Sequence, residues 1–179
     1  MLKGDAVALT ELRDEDSEIL FGWINDPDIV CFNAPFAPVH APNHAIWFDS
    51  VTKSADRIVF AIRRIESPEN VGMLQLINLH PIHRSAELVI RIGSERDRGR
   101  GLGTEAVRLA VDFASRHRNL QRVWLRVFGV NGRAIRAYEK AGLTIEGRLR
   151  RSCFIDGAWV DEIIMARLAP MPARGDAPP

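Results

Sequence analysis

"RDRGRGLGTEA", residues 96–106, sets Gly99, Gly101 and Gly103 at alternate positions among Arg96, Arg98 and Arg100, directly ahead of a run with helical spacing. Alternating glycines let a backbone turn tightly and come close to a ligand. If the helix starts near Leu102, the amides from Arg98 to Thr104 surround its N-terminus. Unpaired N–H groups and the helix dipole there suit a phosphate or pyrophosphate, and Arg98 and Arg100 would add charge-assisted hydrogen bonds. A P-loop needs a lysine that is missing here, and Thr104 occupies the third glycine's place in the dinucleotide fingerprint G-x-G-x-x-G. On this stretch alone, a glycine-rich helix cap with solvated arginines stays open beside the anion site.

Upstream, "VALTEL" (7–12) reads as a strand, followed by a helix that Asp14 can cap, with Ile19, Leu20, Trp23 and Ile24 at helical spacing. Residues 25–44 carry four prolines and read as loop with at most one turn of helix, before a second helix in "AIWFDSVTKSA" (45–55). "RIVFAIRRI" (57–65), "VGMLQLINL" (71–79) and "SAELVIRI" (85–92) follow as strands parted by short turns. Downstream, the pattern predicts a helix over about 104–116, a strand in "RVWLRVF" (122–128), and a short helix in "GRAIRAYEKAG" closed by Gly142. A β-hairpin of "TIEGRLRRSCFI" and "WVDEIIMARL" around "DGA" ends the folded region. The expectation is one α+β domain over residues 1–168, with a Pro/Gly-rich disordered tail over 169–179.

The chain has 179 residues, with 24 Lys plus Arg against 23 Asp plus Glu. That near-balance argues against a nucleic-acid or membrane partner, so an anion site must be local. No run of about 18 apolar residues is present. The acidic, broken N-terminus is no signal peptide, so a cytoplasmic location is expected. Cys31 and Cys153 have neither metal nor redox spacing. His40 and His44 are separated by Pro42, which argues against a helical pair, and His80 and His83 flank Pro81 in a turn. Neither pair has a third ligand in convincing spacing, so no metal is expected.

A second motif settles the first. "NGRAIRAYEKAGL", residues 131–143, places Asn131 and Tyr138 seven residues apart, about two helical turns, so both can lie along one face. Together with the loop pattern [RQ]-x-x-G-x-[GA], met by Arg98, Gly101 and Gly103, this segment resembles the GNAT superfamily of acyl-CoA N-acyltransferases. The resemblance runs from about Val7 to Leu168. It extends to the branch holding the ribosomal-protein alanine, spermidine/spermine and amino-sugar N-acetyltransferases.

The resemblance implies a GNAT fold: a mixed seven-stranded sheet flanked by about four helices and splayed between its fourth strand, "SAELVIRI", and its fifth, "RVWLRVF". Acetyl-CoA is the implied co-substrate. Its pantetheine would bond the backbone of Ile90, Arg91 and Ile92 like an added strand. Its pyrophosphate would lie against Arg98, Gly99, Arg100, Gly101, Leu102, Gly103 and Thr104, with Asn131 also at the cofactor. Tyr138 would donate a proton to the leaving thiolate. An alkyl amine with a pKa of roughly 10 must lose a proton before it attacks. Glu87, on the predicted fourth strand, is the candidate base, with a salt bridge to Arg84 or Arg126 as the plainer role.

The implied reaction is acetyl transfer to a primary amine of an amino sugar, polyamine or aminoglycoside, or to a protein N-terminus, with a homodimer possible. No acid lies between Cys31 and His44, which speaks against a polycation, whereas a lid of Phe32, Pro35, Phe36 and Pro38 would suit a less charged acceptor. Two alternatives come from other classes. One is a silent CoA-binding regulatory module. The other is a nucleic-acid-binding domain using the arginines.

Overall fold

Strands with alternating apolar residues join into a single eight-stranded sheet in the order β1-β2-β3-β4-β5-β6-β8-β7. The computed structural model describes residues 1–31 and 37–170. The strands are β1 (Leu2–Lys3), β2 (Val7–Thr10), β3 (Ile58–Arg64), β4 (Asn70–His80), β5 (Ser85–Ile92), β6 (Arg122–Phe128), β7 (Thr144–Ile155) and β8 (Ala158–Leu168). The helices are α1 (Asp16–Ile24), α2 (Pro27–Val30), α3 (Ala41–Lys53), α4 (Leu102–Arg118) and α5 (Gly132–Lys140). Eight strands replace the expected seven because Leu2–Lys3 folds back on Ala8–Leu9. Five helices replace about four because the single turn allowed in the proline-rich loop forms as α2, capped by the Asp26 side chain on the N–H of Asp28.

All strand pairs are antiparallel except β5 with β6. That pairing is short: Ser85, Ala86 and Glu87 face Arg122, Val123 and Trp124, and there the ladder stops. Beyond it Leu88–Ile92 pair only with β4, and Leu125–Phe128 only with β8. The sheet therefore opens into a V between β5 and β6, with Glu87 and Trp124 at its apex. This is the splay expected between the fourth and fifth strands.

Strand alternation divides the apolar residues between two faces. Leu74, Leu76, Leu88 and Leu125 bury with Ala106, Val107 and Ala110 of α4 to form the main core, and Ala134, Ile135 and Tyr138 of α5 pack against it. Met73, with Leu20 of α1 and Phe48 of α3, forms a smaller cluster on the other face. Under α1 the buried Asp16 carboxylate accepts from Arg63 at 2.6 Å, Asn70 at 2.9 Å and the N–H of Arg13 at 2.8 Å. Asp14 was the expected cap, but the N-cap residue is Glu15, whose side chain makes no cap bond. Asp16 reaches back from inside the helix instead.

α3 starts at Ala41, four residues before the expected Ala45, with Pro42 in its first turn. A proline there forgoes an N–H that has no intrahelical acceptor in any case. The turn after α5 has Gly142 at φ 90°, with Gly142 N–H on the Glu139 carbonyl and Leu143 N–H on that of Tyr138. This is a Schellman closure. The hairpin turn has Asp156 and Gly157 both at positive φ, the mirror-image turn that matches strand twist. Ala169, assigned to the tail from sequence, donates to the Gln121 carbonyl at 2.9 Å. Residues 171–179 and the lid residues Phe32, Pro35 and Phe36 lie outside the described residues.

Candidate active site

The loop before α4 adopts a backbone that glycine alone takes easily. Gly99 and Gly101 have φ of 77° and 83°, a region that costs other L-residues about 1–2 kcal/mol. A Cβ at either would meet nothing within 4 Å. Conformation, with room left for a ligand, therefore selects glycine at both. Gly101 is the N-cap of α4, and no side chain caps that helix. The N–H groups of Leu102, Gly103 and Thr104 have no intrahelical acceptors and carry the positive end of a 17-residue helix.

These groups open onto a cavity of about 570 Å³ that Ile90, Arg91, Ile92, Arg98, Gly99, Arg100, Gly101, Gly103, Thr104, Asn131 and Tyr138 all line. Three separated segments named from sequence thus meet in one place. Its wall also carries Arg108, Arg126, Arg133, Arg136 and Lys140, against Asp5, Asp97 and Glu105 as the acids. Asp97 is ion-paired with Arg64, and Glu105 accepts the backbone N–H groups of Asp5, Ala6 and Val7. A chain of net charge +1 thus concentrates positive potential in one concavity, where low-dielectric walls focus it.

Three cofactor-site expectations change in detail. Arg98 spends its guanidinium on the carbonyls of Ile92, Asp28 and Gly93, at 3.4, 3.3 and 3.0 Å. It ties the end of β5 to α2 and frames the loop. Leu102 turns its side chain into the main core, so only its N–H faces the loop. Asn131 caps α5, its Oδ1 accepting from Ala134 N–H at 3.1 Å. Arg108, Arg126, Arg133, Arg136 and Lys140 were not singled out for the cofactor from sequence. Arg133, Arg136 and Lys140 sit inside the quoted second motif, where their spacing of three and then four residues from one another, one basic stripe along a helix, was a usable signal.

Tyr138 lines the cavity and is packed by α5 against the main core. Burial pushes its phenol up to about 12, so it remains a proton donor throughout the neutral range. Glu87 lies at the apex of the V on the face opposite α4, pairing with Ile77 and Trp124. It is 7% exposed and accepts from Asn78 Nδ2 at 2.9 Å and Arg126 Nε at 3.4 Å. Arg126 also reaches Glu162 of β8 at 3.9 Å. The expected salt bridge to Arg126 forms, and it leaves the carboxylate held at the apex. Arg148 pairs with Asp161, and Arg122 with Glu146, so these strand arginines are engaged within the hairpin region.

An acetyltransferase (GNAT) domain model matches residues 7–144. The chain belongs to the GNAT acetyltransferases. A probable N-acetyltransferase of Bacillus subtilis is 30% identical over 95% of this chain and 98% of its own length. The spermidine N(1)-acetyltransferase of Escherichia coli is 37% identical over 97 residues, and that match spans about half the relative's length, 52%, and 54% of this chain. Among solved structures, spermidine N-acetyltransferase from Vibrio cholerae, in complex with CoA and spermine, superposes with a TM-score of 0.83. It is 24% identical over 91% of this chain and 95% of that one. The fold is therefore shared over nearly the whole of both chains.

Proposed function

We propose that this GNAT protein transfers the acetyl group of acetyl-CoA to a primary amine, with both substrates bound together. The observation that carries this is the meeting of the glycine loop, the unpaired edge of β5 and Tyr138 on one basic cavity at the V. The residues fit CoA. Uncapped α4 amides and positive-φ glycines suit its pyrophosphate, the basic rim suits its phosphates, and the free edge of Leu88–Ile92 suits the amides of pantetheine.

Acetyl-CoA supplies an acyl group activated as a thioester. Glu87 accepts a proton from the incoming ammonium group, directly or through one water. The amine's lone pair forms the new C–N bond. Backbone N–H groups near the splay, over Val89–Ile92, stabilise charge on the carbonyl oxygen. As the C–S bond breaks, Tyr138 donates to the sulfur. A phenol near 12 is a weak acid beside an ordinary thiol near 8.5, but the wall that raises the phenol also raises the thiol by desolvation. The products are an acetamide, free CoA thiol and one proton: of the two that the ammonium group gives up, one leaves through Glu87 to solvent and the other restores the Tyr138 phenol.

Thiol release from acetyl-CoA, followed with amino sugars, polyamines, aminoglycosides and N-terminal peptides, tests the proposal. Release that depends on an amine and saturates in it is expected. Thermal stabilisation by acetyl-CoA without release on any amine would instead identify a binding module.

A further inference from the structure

We propose that Arg91 selects an acceptor amine that also carries an oxyanion, a carboxylate or phosphate ester, several bonds from its amino group. The inference rests on the acetyltransferase reading above and names the acceptor's chemical class. Arg91 lines the cavity, yet its Nε is buried and has no hydrogen-bond partner among the described residues. Burial alone pulls its pKa down, with no neighbouring charge opposing the shift. Among the described residues no acid, Asp5 of the cavity wall included, forms an ion pair with Arg91, and most of those nearby are committed elsewhere. Asp97 is paired with Arg64, Glu105 with backbone amides, and Glu87 and Glu162 with Arg126.

Arg91 is partly buried, and a cation that loses water without gaining a counter-charge is disfavoured. Such a group persists where a ligand brings the missing charge. The pairing of Arg91 with Met73 puts its side chain on the sheet face of the α1/α3 cluster. Ile90, Ile92 and α4 occupy the other face, so the donor's pyrophosphate cradle at the α4 N-terminus belongs to the opposite side. Glu87 shares the face of Arg91, four residues upstream, about 13 Å of strand between their Cα atoms. An amine at Glu87 and an oxyanion at Arg91 would span that interval, the guanidinium fork matching either carboxylate or phosphate. A polycation would instead bring a second positive charge to an already uncompensated one.

The test compares matched acceptors: amino acids and dipeptides of increasing amine-to-carboxylate distance with their carboxamides, and an amino-sugar phosphate with the unphosphorylated sugar. Both kcat/KM and binding to the enzyme–CoA complex by calorimetry are measured for wild type, Arg91→Met and Arg91→Lys. Wild type should favour the anionic member at least tenfold. Arg91→Met should bring the ratio near one, and Arg91→Lys should restore part of it. The carboxylate and phosphate arms tell which oxyanion is used. Equal preference in wild type, or a preference that survives in Arg91→Met, would overturn the inference. So would loss of CoA affinity in Arg91→Met with an unchanged ratio, which would make Arg91 a donor-phosphate ligand. If no amine turns over, the acetyltransferase reading fails, while the calorimetric ratio still decides the role of Arg91.

Discussion

Tyr138 is the only tyrosine of the chain, so tyrosinate absorbance in an alkaline titration reads a single group. It should titrate near 12, as burial dictates, and a value near 10 would contradict a dry wall around the phenol. Between 10 and 12 the unfolded chain gives up this proton while the folded chain keeps it. Stability should therefore fall through that window, by up to about 2.7 kcal/mol, with no effect below it. Tyr138→Phe lacks this slope, so the difference in unfolding free energy between the two proteins isolates it. The same variant should retain CoA affinity and lose about 10²–10⁴-fold in kcat, the usual worth of a positioned acid. Unchanged turnover would remove Tyr138 from the chemistry.

The glycine loop and α4 act as one unit, and Gly101 is where they join. Gly101→Val forces a β-branched side chain to φ near 83°, a strain of about 1–3 kcal/mol. No neighbour blocks an added Cβ, so the damage should fall on loop shape and CoA approach. Isothermal titration should show CoA affinity down at least tenfold while circular dichroism keeps the native spectrum. Normal affinity would show that the loop amides do not hold the pyrophosphate. Much of this unit was legible in the sequence. Alternating glycines before an apolar 3.6-residue repeat mark a tight turn into a helix, and Gly99 and Gly101 take the left-handed conformation there. The fate of Arg98 was not legible, because it depends on what tertiary folding brings near, whereas an asparagine ahead of a helical repeat is a local cap signal that was there to be read. Arg98 finds carbonyls of β5 and α2, and Asn131 finds the N-terminus of its own helix. Asp14 and Asp16 show the same limit at α1: both are acids at a helix start, and only packing against Arg63 and Asn70 distinguishes them.

At the scale of the whole molecule, the decisive feature is how little joins the two halves of the sheet. β5 and β6 share three residue pairs, and beyond Glu87 each strand has a partner on one side only. Pattern alone hid this, since "SAELVIRI" and "RVWLRVF" alternate as well as strands that pair along their whole length. The backbone groups of Leu88–Ile92 that face the V lack a strand partner, and exposed sheet edges of this kind accept an extended ligand. Acetyl-CoA should therefore complete the sheet at this edge. Hydrogen exchange followed by mass spectrometry should show peptides covering 86–104 protected on saturation, with smaller changes in β7 and β8, which lie beyond β6 in the sheet. Because the ligand binds the folded chain alone, saturation at a hundredfold over Kd should also raise stability by about 2.7 kcal/mol, or roughly 5–11 °C in melting temperature for a domain of this size. CoA lacking the acetyl group should reproduce most of both effects, since the pantetheine amides and phosphates are common to the two. Protection confined to the glycine loop, with Leu88–Ile92 exchanging as fast as in the free protein, would place pantetheine outside the V and with it the thioester away from Tyr138 and Glu87.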